Sequence, residues 1–184
     1  MGRTAGRATD DTRRMILDAA MTLVARRGAG ASLADMAKAA GVSKGGLLYH
    51  FPTKDDLLRA GAIDLFESFR TRVYEAAQPE PEGVPGRLTR AYIRISFADA
   101  AGDSVREVIA VAAQLMTEKP IQEMSDADGR RWRDELMADG LADSTVRLII
   151  AATDGVSSAP LWGTVLDEAD QRALEQELLA MTRI

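Results

Sequence analysis

The residues best equipped for chemistry lie in one short stretch, Ser43-Lys44-Gly45-Gly46 followed by Tyr49 and His50. Together they offer a hydroxyl, a cation, two positions without side chains, a phenol and the only histidine of the chain. The chemistry this set suits is recognition of anions and base edges rather than bond making. A helix N-terminus presents unpaired N–H groups and a partial positive charge, so Ser32, Ser43 and Thr53, each at an expected helix start, are candidate phosphate contacts. Gly45 and Gly46 have no side chain to hold the backbone away from a groove wall. Lys44 can reach a base edge or a phosphate, Tyr49 can give its phenol to phosphate, and His50 is better placed as a phosphate donor than as a base reader.

These residues need helices to position them. Ser32 caps a first helix in which Asp35 occupies the third position and Leu33, Met36, Ala37 and Ala40 form an apolar stripe. Gly41 ends it with a positive φ, Val42 plugs the turn, and Ser43 caps a helix of two turns over Lys44 to His50. Pro52 then keeps Phe51 out of the helical region. Helices this short do not stand alone in water, so a third must pack on them. Asp10 to Arg27 supplies it, with Met15, Ile16, Ala19, Ala20, Leu23 and Val24 at helical spacing, Thr9 or Thr12 as cap and Arg26-Arg27-Gly28 as stop.

The stretch resembles the DNA-binding domain of the TetR family of bacterial transcriptional regulators. The matching residues are Ser32, Met36-Ala37, Ala40-Gly41-Val42-Ser43, Lys44-Gly45-x-Leu47, Tyr49-His50-Phe51 and Lys54-x-x-Leu57. The resemblance implies base contacts from Lys44, Gly45 and Gly46 and phosphate contacts from Tyr49, His50 and Lys54. Leu48 stands where many members carry the first of two aromatics. It either touches a thymine methyl or turns inward.

Charge and composition set further limits. Residues 1–60 carry ten Lys and Arg against six Asp and Glu, whereas residues 61–184 carry thirteen against twenty-two, giving a basic head on an acidic body. Gly2 to Arg7 reads as a basic arm, disordered when free, that is either a solvated terminus or a groove or phosphate contact. There is no cysteine, which excludes disulfides and thiolate metal sites, and one histidine makes a zinc site of the usual kind an unpromising reading. Neither a membrane span nor a signal-peptide core is visible, so a soluble cytoplasmic protein is expected. An enzyme would need more than carboxylates. The pairs Asp10-Asp11, Asp55-Asp56 and Asp167-Glu168 fall at helix starts, where they complement the dipole, so no catalytic residue, metal or cofactor is expected.

The rest of the chain predicts helices alone. Lys54 to Ala77 forms a long linking helix, the proline-rich segment 79–86 ends it, and Arg87 to Ala100 follows. Ser104-x-x-Glu107 reads as a capping box for the next helix. Pro120 reads as a break, with helices around Asp126 to Ala138, from Ser144 to about Thr164 with Pro160 bending or ending it, and from Asp167 to Met181. The expected architecture is all-α, with a helix-turn-helix head over residues 1–53 and a helical ligand-binding and dimerisation body over residues 54–184.

The resemblance implies that the last two helices build a four-helix bundle across a two-fold axis, with Ile149, Ile150, Thr153, Ser157, Leu174, Leu178 and Met181 at the interface; packing within their own subunit is the competing reading. A two-turn reading helix contacts few bases alone, which also favours a homodimer. By the same resemblance the partners are an operator duplex, a second copy and a small-molecule effector that releases a repressor. Cavity candidates are Tyr92, Phe97, Met116, Met124, Trp132, Met137 and Trp162, with Arg94, Gln114 or Asp154 as polar handles; packing in the subunit's own core is the competing reading for each. The alternative function is an interaction module that keeps the helix-turn-helix shape without binding DNA.

Overall fold

The computed structural model describes residues 3–102 and 105–183, and these fold into nine helices with no strand among the described residues. Two compact units result. One comprises Met1–Leu65 with Ala110–Gln122, and the other Phe66–Ile109 with Glu123–Ile184. We call them the head and the body.

In the head, α1 (Arg3–Arg27), α2 (Leu33–Ala39) and α3 (Lys44–His50) pack in sequence, α2 touching both neighbours. Their inward faces bury Ile16, Ala20, Val24, Met36, Ala37, Leu47 and Phe51 almost completely. Each large side chain removed from water in this way contributes about 1.5–3 kcal/mol, which lets two seven-residue helices persist. Gly41 adopts φ 66° after the α2 C-cap, the left-handed conformation that turns the chain into α3. The start of α4 (Lys54–Ala77) closes the unit with Leu57, Leu58 and Ala62. The end of α6 (Val105–Leu115) and the first turn of α7 (Lys119–Met137) add buried Leu115 and Ile121. Gln114 on α6 accepts a hydrogen bond from the Ala29 N–H at 3.3 Å, beside the turn after α1.

Within the body, α5 (Arg87–Ala101) is the central helix and packs on both α8 (Asp143–Trp162) and α9 (Glu168–Met181). One apolar cluster gathers Val73, Ala91, Tyr92, Trp132, Leu136 and Val146; a second gathers Ile93, Phe97, Ile149, Val156, Leu178 and Leu179. The start of α5 is held from outside its own sequence. The Asp139 carboxylate accepts from the Leu88 and Thr89 N–H groups and from the Thr89 hydroxyl, at 3.2, 2.8 and 2.7 Å. Gly86, at φ 75°, donates to the Asp139 carbonyl at 2.7 Å, and a Cβ there would lie 2.8 Å from Arg90 Nη1. Buried Arg90 ties the proline-rich loop to the chain end through Glu80, the Pro85 carbonyl and the Thr182 carbonyl.

Several element boundaries depart from the sequence reading. The backbone of Arg3 to Arg7, expected as a disordered arm, is the first part of α1, so Thr9 and Thr12 lie inside that helix and are not its cap. Its N-terminal third carries no apolar periodicity, which is why the spacing placed the start at Asp10. Pro120 does not break the chain but occupies the first turn of α7, where a proline has no intrahelical N–H bond to lose. Pro160 lies in the last turn of α8, two residues before its end at Trp162. The Ser104 capping box lies outside the described residues.

Candidate nucleic-acid interface

Three helix starts in the head carry hydroxyl caps, and their geometry differs. At α2, Ser32 Oγ accepts from the Asp35 N–H at 3.2 Å and donates its own proton to Asp35 Oδ2 at 2.6 Å. At α4, Thr53 Oγ1 accepts from the Asp56 N–H at 3.0 Å and donates to Asp56 Oδ2 at 2.6 Å. Both are closed capping boxes in which an aspartate takes the hydroxyl proton and sits at the positive end of the helix. The side-chain hydrogen bond from Ser32 holds the Asp35 carboxyl below its ordinary range.

The start of α3 is different. Ser43 Oγ accepts from the Gly46 N–H at 3.0 Å, but Gly46 occupies the position filled by aspartate in the other two helices. No acid lies in its first turn, and Ser43, Lys44 and Gly45 are exposed. A Cβ on Gly45 would meet nothing closer than 3.9 Å, so the fold itself does not require glycine there. Glycine is a poorer helix former than alanine, and nothing inside this chain requires it at this first-turn position. On Gly46 a Cβ would lie 3.3 Å from Ser43 Oγ, so the serine side chain would have to give by a few tenths of an ångström, as it does beside Asp35 and Asp56 at the other two starts.

Toward the other end of α3, Tyr49 is 79% exposed and stands edge-on to the half-buried His50 ring, centroids 5.2 Å apart. Leu47 is buried, whereas Leu48 is half-buried. Thr53 is exposed and Lys54 half-buried where α4 begins. Ser32, Ser43, Lys44, Gly45, Gly46, Leu48, Tyr49, His50, Thr53 and Lys54 therefore all belong to the head. The hydroxyl protons of Ser32 and Thr53 are held by their own aspartates.

The residues expected to line an effector cavity fall in several groups. Tyr92 and Trp132 join Phe69 in a ring cluster with centroid separations of 5.3–5.7 Å, and Met137 packs against the same core. Phe97 belongs to the second cluster, while Met116 falls in the head and Met124 in the body. The side chain of Trp162 lies outside the described residues. Of the polar handles, Gln114 is engaged with Ala29 and Arg94 with Glu80 at 3.4 Å. Burial pushes the Tyr92 phenol up to about 12, with the Asp154 charge adding to it, so it stays protonated at any physiological pH.

Sequence spacing gave no sign of the ion cluster beside that core. Arg70 is 3% exposed, lies 4.2 Å from the Trp132 ring centroid, and pairs with Asp128 at 2.6 Å and Glu135 at 3.1 Å. Tyr74 donates its hydroxyl to Glu135 at 2.6 Å.

The interface candidates divide in two. Ile149 and Leu178 are spent inside their own subunit at 0% and 2% exposure, and Thr153 is buried with its hydroxyl donating to the Ile149 and Ile150 carbonyls. Ile150 and Leu174 are half-buried, and Ser157 and Met181 are exposed. The outward face of α8 carries Leu148, Ala151, Gly155 and Ser158 instead. A pocket of about 280 Å³ opens along it, bounded by Ala151, Gly155, Ala159, Val165 and Leu174. Among the described residues there is no cluster of potential metal ligands, and no helix is long and apolar enough to cross a membrane.

This geometry has known counterparts. The profile described as "Bacterial regulatory proteins, tetR family" matches residues 16–60, and "Tetracyclin repressor-like, C-terminal domain" matches residues 86–183, more than half of the chain. The chain is similar to the HTH-type transcriptional regulator AcrR of Shigella flexneri, 41% identical over 58 residues, which are 31% of this chain and 27% of that protein. A member of the TetR family from Streptomyces coelicolor A3 superposes with a TM-score of 0.70 at 27% identity, covering 94% of this chain and 99% of that one. The multidrug binding protein EbrR complexed with ethidium superposes with a TM-score of 0.62 at 28% identity, covering 91% and 97%. The chain belongs to the TetR family of bacterial regulatory proteins.

Proposed function

We propose that the chain is a sequence-specific, DNA-binding transcriptional regulator of the cytoplasm, a repressor released from a palindromic operator by a small-molecule effector. Residues 1–53 are its DNA-binding part and residues 54–184 its ligand-binding and dimerisation part. The observation that carries this reading is Gly45, a glycine in an exposed helix with open space around it, at the one of the head's three hydroxyl-capped helix starts that lacks an acid. A surface that must approach a groove wall closely accounts for it, whereas folding does not. Lys44, Gly45 and Gly46 then face base edges, and Ser43, Tyr49, His50 and Lys54 face phosphates. Leu48 lies beside them.

Two copies place two such helices in successive major grooves, about 34–36 Å apart. The outward small-residue face of α8, with Ser157 and Met181, makes the dimer contact, backed by Ile149, Ile150, Thr153, Leu174 and Leu178. An effector that binds better to the form with the wrong spacing weakens operator binding by its differential affinity, typically about 1–3 kcal/mol. The complex of EbrR with ethidium supports an organic small molecule as effector, and Tyr92, Trp132 and Met137, gathered in one core of the body, are the aromatic and methionine side chains offered to it. We assign the chain no catalytic role and no cofactor.

The test is gel-shift titration on the DNA flanking its own gene, comparing the natural chain with Gly45→Ala. The substitution should raise thermal stability slightly, by about 0.5 kcal/mol, and weaken operator binding roughly tenfold. Equal binding by both proteins would remove the main support, and no binding by either would favour the interaction module.

A further inference from the structure

We infer that Arg13, on α1, is a DNA phosphate contact held over Phe51 at the junction of α3 and α4. This rests on the reading of the head as a DNA-binding unit and adds to it a residue from a third helix. The argument comes from two adjacent arginines with opposite surroundings. Arg14 is neutralised, its Nε 2.9 Å from Asp18 Oδ1 and its Nη1 paired with Asp64. Arg13 is absent from the ion pairs of the described residues. Its guanidinium instead lies 4.8 Å from the centroid of the Phe51 ring, and the residue is exposed.

Position gives that unneutralised charge its meaning. Phe51 is the C-cap of α3 and is buried, with Tyr49 and His50 immediately before it and Thr53 and Lys54 just after Pro52. Arg13 therefore brings a cation to the α3–α4 junction, whose flanking residues in sequence are Tyr49, His50 and Lys54. An aromatic face orients a guanidinium without cancelling its charge, and the planar fork matches two phosphate oxygens at once. Arg14, one residue away, meets two carboxylates, whereas Arg13 meets an aromatic face.

The test is fluorescence anisotropy of a labelled 30-base-pair mixed-sequence duplex, titrated with the full chain between 50 and 200 mM KCl. The proteins compared are the natural chain, Arg13→Met, Arg13→Lys and Arg14→Gln, each also melted by circular dichroism. Arg13→Met keeps an apolar cover on Phe51 and removes the charge. It should lower the slope of log K against log salt by about 0.9 per engaged head and the affinity at 100 mM by roughly fivefold to tenfold. Arg13→Lys should restore the slope, and Arg14→Gln should keep it while lowering the melting temperature. A natural slope in Arg13→Met, with or without a change in melting, overturns the assignment and leaves Arg13 as a cover for the ring. Failure of the natural chain to bind the duplex at any salt would instead overturn the DNA-binding reading itself.

Discussion

The starts of α2 and α4 share a hydroxyl cap with the start of α3 and part from it three residues later. Ser32 and Thr53 are each followed at that distance by an aspartate, Asp35 and Asp56, whereas Ser43 is followed by Gly46. The aspartates satisfy the hydroxyls and place a negative charge over the first turn, which suits a helix that only has to stay folded. At α3 the chain omits both the carboxylate and the side chain that would carry it. The same local device is thus closed where it serves stability and left open where it faces outward, and a polyanion meets repulsion at two of the starts and none at the third.

The strongest way to break this contrast is to close the open start. Gly46→Asp supplies Ser43 with the partner that Ser32 and Thr53 already have, so the head should melt no earlier than the natural protein, while DNA affinity falls on the order of 100-fold through charge repulsion at the groove. Retained affinity in a gel shift would show that the open start is not what faces the duplex. A smaller effect is expected at α4. Thr53→Ala removes a cap that is internally satisfied, costing about 1 kcal/mol in chemical denaturation while leaving the salt dependence of DNA binding unchanged; a reduced slope would mean that the hydroxyl leaves Asp56 for a phosphate.

The smallest effect concerns pH. The Asp35 carboxyl is held below its ordinary value of 3.8 by its hydrogen bonds from Ser32. A depressed folded value means that its contribution is fully present above the unfolded pKa and is lost as pH falls through the folded one. Carbon-detected NMR titration of Asp35 should show the low value, and amide exchange in the first turn of α2 should speed up below pH 4 before that of α3, which has no acid to protonate.

Much of this contrast can be read from the chain alone, because capping spacing is local. Ser32-x-x-Asp35 and the glycine pair after Lys44 both declare themselves within four residues, and the bounds of α4 follow from its own apolar stripe. What the spacing cannot convey is pairing across the sequence. Arg13 over Phe51, Gln114 against Ala29 and Arg70 between Asp128 and Glu135 join residues 38 to 85 positions apart, with no periodic signal to connect them. The inward turn of Ile149 and Leu178 escaped for a related reason: an apolar helix face shows that something covers it, not whether that cover belongs to the same subunit. Pro120 misled because the same residue that stops a helix interior is welcome in a first turn, which is where it lies in α7.

Residues 110–122 carry a practical consequence. Leu115 and Ile121, supplied from far along the chain, are buried within the unit that holds α1, α2 and α3. Cutting after Leu65 would therefore leave a fragment with two missing plugs, and a chimaera that borrows this head for another regulator must import the α6–α7 corner along with it. Exchange of DNA specificity between relatives is thus not a simple cut-and-paste at one junction, and grafting only Ser43 to His50 is the more promising transplant.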